Sequence, residues 1–137
     1  LNISDVIFVV GINHQLTNMS TYSSMSIYDA TYFWGVNEIS NTQMKNTSWK
    51  YIYNINKNEK EKNLLPYIYV YEIRRDCMNI INCLQVPYIP NSENKAVIPI
   101  SDPIVITERM YNNPITNVGP YLSDVILPVI VHLRKKN

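Results

Sequence analysis

Glycine is scarce in this chain. Its three copies, Gly11, Gly35 and Gly119, stand too far apart to build a phosphate-cradling loop. No G-x-S-x-G elbow is present, so a serine nucleophile on a strand-to-helix turn has no signature here. The two cysteines match neither a C-x-x-C redox pair nor a zinc knuckle, and no histidine lies near them in sequence. Charge is also sparse, at 17% of residues, and the formal net charge is only +1. A nucleic-acid binder held by phosphate contacts would need a basic face, so that class is disfavoured. No apolar run approaches the roughly 20 residues of a membrane span. No amphipathic helical stripe and no internal repeat are found.

Apolar residues make up 46% of the 137 positions, enough for one domain with a real core. Asparagine, isoleucine and tyrosine are frequent. The chain starts at Leu1 rather than at a methionine. Removal of an N-terminal segment is expected, or else derivation from a longer polypeptide.

Residues 67–88 (YIYVYEIRRDCMNIINCLQVPY) organise the rest. Tyr67, Tyr69, Tyr71 and Ile73 alternate with Ile68, Val70, Glu72 and Arg74, the period of a strand. Both faces are apolar at first, which predicts a central strand. Charge arrives at Arg74, Arg75 and Asp76, where the strand is expected to emerge into solvent. Residues 84–86 then return as the second arm of a hairpin. Cys77 and Cys83 flank the loop, and their spacing predicts a disulfide. The chain-entropy estimate for so short a loop is roughly 2–2.5 kcal/mol of stabilisation. Such a bond favours an oxidising compartment, extracellular or at the cell surface.

Elsewhere, residues 6–10 (VIFVV) read as a buried strand, with a bulge at Gly11. Residues 21–28, 31–36, 49–55, 96–100, 104–111 and 125–133 also read as strands, with a second glycine bulge at Gly35. Residues 37–48 and the charged 56–63 read as loops, and Pro120 opens a helical turn. Many short strands with proline and asparagine turns predict a single all-β domain over residues 1–137. The expected form is an antiparallel β-sandwich of about seven to nine strands, immunoglobulin-like or jelly-roll-like, with little helix. Residues 1–12 are expected to be an edge strand, or one exchanged with a neighbouring molecule.

The aromatic rows Trp49, Tyr51, Tyr53 and Tyr67, Tyr69, Tyr71 have two readings. Buried, they are core. Exposed on adjacent strands, they form a platform on which sugar rings stack. Three glycosylation sequons begin at Asn2, Asn18 and Asn46, all in segments read as loops or termini. His14 and His132 with a carboxylate such as Asp5, Asp29 or Asp124 offer metal-ligand chemistry, but no spacing motif supports it. No catalytic residue, cofactor or metal site is therefore assigned.

The features converge on a non-catalytic, secreted glycoprotein domain that serves as a structural subunit. It is expected to self-associate through its terminal strands, head-to-tail into a filament unless the rotation closes. A carbohydrate-binding module using the aromatic rows is the second reading. A hydrolase with dispersed carboxylates is the third.

Overall fold

The computed structural model describes residues 1–52, 58–89 and 96–134. Among these, seven strands form two sheets: β1 (Val6–Ile12), β2 (Ser23–Asp29), β3 (Gly35–Ser40), β4 (Ile68–Arg74), β5 (Cys83–Gln85), β6 (Ile104–Met110) and β7 (Val129–Leu133). The first sheet runs β5-β4-β1-β7 and the second β3-β2-β6. Three single-turn α-helices join them: α1 (Asn41–Met44), α2 (Trp49–Ile52) and α3 (Glu59–Lys62).

The sheets face each other and share one core. Strand alternation sends Ile7 and Val9 of β1, and Tyr69, Tyr71 and Ile73 of β4, to the same side. Met25 and Ile27 of β2 and Ile39 of β3 meet them from the second sheet. β4 is buried along most of its length, as its apolar opening predicts, because it lies between β1 and β5. Tyr69 stands opposite Gly11 in the β1–β4 ladder. A Cβ at Gly11 would lie 2.5 Å from the Tyr69 ring, so only glycine leaves room for it. The Tyr69 hydroxyl donates across the sandwich to Glu108 Oε1 of β6 at 3.2 Å.

Several sequence expectations are corrected. β1 is an inner strand, paired with β4 on one side and β7 on the other, so it is not an edge. β5 pairs with β4 in parallel, not as the returning arm of a hairpin. Parallel neighbours usually need a crossover of about a dozen residues or more. Here residues 75–82 double back within a loop closed by the Cys77–Cys83 disulfide. Met78 and Asn82 take left-handed backbone angles in that loop. Of the strand expected over residues 31–36, residues 31–34 are a turn, and β3 begins at Gly35 and runs into the segment expected as a loop. The Asp29 carboxylate accepts from the backbone N–H of Thr31 and Tyr32, and this pins Phe33 at φ 56°. That angle is unusual for a bulky residue and costs on the order of 1–3 kcal/mol.

Residues 49–52 are helical, not extended. Tyr51 and Ile52 close the turn onto the Ser48 carbonyl, and Tyr51 then reaches Glu72. Residues 96–100 belong to no strand. Asn58, expected in a solvated loop, caps α3 through a reciprocal pair with Glu61.

Arg75 departs furthest from expectation. It is fully buried, and its guanidinium donates to three backbone carbonyls: Leu1 (2.8 Å), Ile98 (2.6 Å) and Pro99 (3.0 Å). Burial pulls its pKa below the usual arginine value. Hydrogen bonds to a charged group contribute about 1.5–3 kcal/mol each. Arg75→Met leaves the Leu1 and Ile98 carbonyls without this donor, while Pro99 keeps the Asp102 N–H, and we expect a loss of about 3 kcal/mol in urea unfolding.

Glu108 supplies a pH dependence. Burial raises its pKa to about 7, and the Tyr69 hydrogen bond only partly opposes this. The neutral acid is the form the fold favours. Its stabilisation is complete below the ordinary glutamate pKa and lost as pH rises through about 7. Glu108→Gln, permanently neutral, should therefore stabilise the protein at pH values above 7 relative to wild type, and change little in acid. Urea midpoints measured on both sides of the transition check this.

Candidate functional site

The two sides of the sandwich are finished differently. On one, Asn37 of β3 donates its side-chain N–H to the Gln85 carbonyl of β5 at 3.0 Å and bridges the sheets. On the other lies β7, whose outer edge has no neighbouring strand among the described residues. The first sheet has four strands and the second three, so β7 overhangs. Every residue of β7 is exposed, including Val129 (61%), Ile130 (51%), Val131 (44%) and Leu133 (52%).

The register sorts these side chains. Val129, Val131 and Leu133 stand opposite Val10, Phe8 and Val6, on the outer face of the sheet. Ile130 and His132 stand opposite Val9 and Ile7, on the core side. His132 Nε2 lies 3.2 Å from Asp5 Oδ2, which fastens β7 to the start of β1. The Asp5 carboxyl is held below the usual range, chiefly by the Asn2 backbone N–H and further by His132, against the effect of burial.

An apolar groove of about 530 Å³ opens beside this edge. Its walls include Ile12, Leu16, Leu64, Tyr67, Ile68 and Ile126, with Asn18 at the rim. Ile12 continues the outer row of β1, and Ile126 leads into β7. The strand face and the groove thus share their elements. Single exposed apolar residues are ordinary, whereas here an apolar edge strand and an apolar groove lie side by side.

The sequence-assigned residues fall in separate places. Cys77 and Cys83 are bonded to each other. Tyr69 and Tyr71 are core residues, where burial raises both phenols, so neither belongs to a surface platform. Tyr67 sits in a 3-10 turn and lines the groove. Trp49 is half-buried on α2, and Tyr53 lies outside the described residues. Tyr51 packs edge-on against Phe8 and donates to Glu72 Oε1 at 2.7 Å. Lys50 and Arg74 also hold Glu72. Burial alone would raise the Glu72 pKa, but these three partners outweigh it and lower it.

Asn2, Asn18 and Asn46 are all exposed. His14 is buried with Nε2 3.3 Å from the Ile126 carbonyl oxygen, away from the His132–Asp5 pair. Asp29 is spent on its own turn, and Asp124 lies beside the Ser123 hydroxyl. Among the described residues no group of three or more histidine, cysteine or acidic side chains is placed to hold a metal. No helix among them is long and apolar enough to cross a membrane.

No family model, curated protein or solved structure matches this chain. The groove residues were not found from sequence. Leu16, Leu64 and Ile126 come from three distant segments with no common motif. The only sequence signal was the run VIVHL, which reads equally well as a buried strand.

Proposed function

We propose that the chain is a non-catalytic, secreted assembly module, and that its partner at β7 is a second copy of itself. The observation that carries this reading is the β7 edge, apolar on its outer face, uncovered and unpaired. Exposed edges in soluble proteins are usually blunted by lysine, proline or bulges, and β7 has none of these.

Self-pairing fits the residues. Laid antiparallel to its copy about Val131, β7 sets Val129 against Leu133, Ile130 against His132, and Val131 against itself. The outer face then carries one continuous apolar strip flanked by Val6, Phe8 and Val10 of each copy. The Arg134 side chains fall at opposite ends and do not oppose each other. Such pairing is isologous and closes as a dimer of two four-stranded sheets, rather than the head-to-tail filament expected from sequence. A stable interface covers roughly 800 Å² per partner. Five strand residues fall short of that, so the neighbouring groove takes part. The Cys77–Cys83 disulfide supports the secreted setting. The exposed Asn18 and Asn46 support the glycoprotein reading.

Sedimentation velocity over a concentration series should show a dimer. Val129→Lys with Val131→Lys should shift it to monomer, raising Kd by at least about 100-fold. Both sites are solvent-facing in the monomer, so circular dichroism should be unchanged. A wild-type protein monomeric throughout would overturn the proposal, and growing filaments would overturn the isologous pairing. Separately, glycosidase treatment of protein from its native source should lower its mass, and an unchanged mass at all three sequons refutes the glycan part.

A further inference from the structure

The second sheet carries a different kind of surface. Met25 and Ile27 of β2 face the core, so Ser24, Ser26 and Tyr28 face outward. Their cross-strand neighbours on β6 are Arg109, Thr107 and Val105. A cleft of about 280 Å³ lies here, lined by Tyr28, Phe33, Val105, Thr107 and Arg109.

Its parts are chemically distinct. The Tyr28 and Phe33 rings form apolar walls. The Arg109 guanidinium sits 5.5 Å from the centre of the Tyr28 ring and hydrogen-bonds its hydroxyl. The Val105 and Thr107 side chains complete the lining, with the Thr107 hydroxyl oxygen closed off from solvent. Phe33 is 71% exposed. Its left-handed backbone is held by the Asp29 turn, and Pro103 accepts from the Ala30 N–H behind it. The wall is thus set before any ligand arrives.

We propose that this cleft binds an acidic sugar, a pyranose ring bearing a carboxylate. The ring's C–H face stacks on Tyr28 and Phe33. The carboxylate pairs with Arg109, whose planar fork suits a bidentate contact. Val105 and Thr107 supply packing contacts to the ring. The exposed Tyr32 and Trp34, with ring centroids 5.3 Å apart, extend the stacking surface for a next residue. A membrane surface is the competing partner for an aromatic tip. Electrostatic membrane docking uses clusters of lysine and arginine, whereas this cleft presents Arg109 alone.

The test uses the full chain with methyl β-D-glucuronide and methyl β-D-glucoside, which differ in the carboxylate. Two-dimensional NMR should show the glucuronide bound with a Kd of about millimolar. The shifts should centre on Tyr28, Phe33, Thr107 and Arg109. The glucoside should bind about tenfold more weakly. Arg109→Gln should remove the difference, and Phe33→Ala should weaken both. Phe33→Leu, which keeps an apolar side chain without the ring, keeps the test informative if either variant unfolds, and should weaken both sugars. Equal binding of the two sugars, shifts elsewhere, or no binding overturns the proposal. So does binding confined to vesicles of phosphatidylcholine and phosphatidylserine.

Discussion

Arg75 sits where its donors must be met by protein, and the three carbonyls that meet them come from two segments. Leu1 precedes the first strand, while Ile98 and Pro99 belong to the irregular link before β6. A cation buried without a carboxylate partner is expensive. It persists because the Leu1 and buried Ile98 carbonyls take their donors from it, while Pro99 also accepts from the Asp102 N–H. The side chain therefore fixes the end of β4 relative to both neighbouring segments. The doubled-back loop after Arg75 then places Leu84 in the core and β5 parallel to β4. The Cys77–Cys83 bond closes that loop from outside.

From this fixed end the sandwich is finished on one side and open on the other. The Asn37–Gln85 bridge ties β3 to β5, while β7 extends past the second sheet with no strand across from it among the described residues. Tyr69 and Glu108 hold the sheets together at the step before the overhang. The polar link there sets the spacing between layers, and the close approach of Tyr69 to Gly11 leaves little freedom to change it. An overhang of this kind is a property of strand count: four strands against three leave one uncovered.

How much of this was legible follows from which signals are local. The β4 strand could be read because both its faces are apolar and its burial is set by its own composition. The cysteine pair could be read because the two are alone and close in sequence. Arg75 could not. In the run Arg74, Arg75, Asp76, local pattern gives no reason to bury the middle residue. The decision rests on carbonyls at Leu1 and Pro99, far away along the chain. Trp49, Tyr51 and the residues between them alternate as a strand would, yet Tyr51 turns toward Glu72, a long-range contact that overrides propensity. The edge position of β7 could be read as well, because terminal strands of a sandwich usually lie at sheet edges. Its overhang past the second sheet could not, because that depends on the strand count of both sheets.

The two surface features of the proposed assembly pull against each other at one residue. Asn18 is a glycosylation sequon and also forms the rim of the apolar groove beside β7. A glycan there would stand over Leu16, Leu64 and Tyr67 and shield them from a second protein. The strand edge would remain free, because Val129, Val131 and Leu133 do not line that groove. Pairing would then rest on five residues of backbone and one apolar strip, well short of the area of a stable interface. A glycosylated Asn18 and a tight β7 dimer are thus opposed states of the same surface. Asn46 does not line the groove and carries no such conflict. On the proposed reading, a glycan at Asn18 would weaken the pairing of this edge without altering the strand itself.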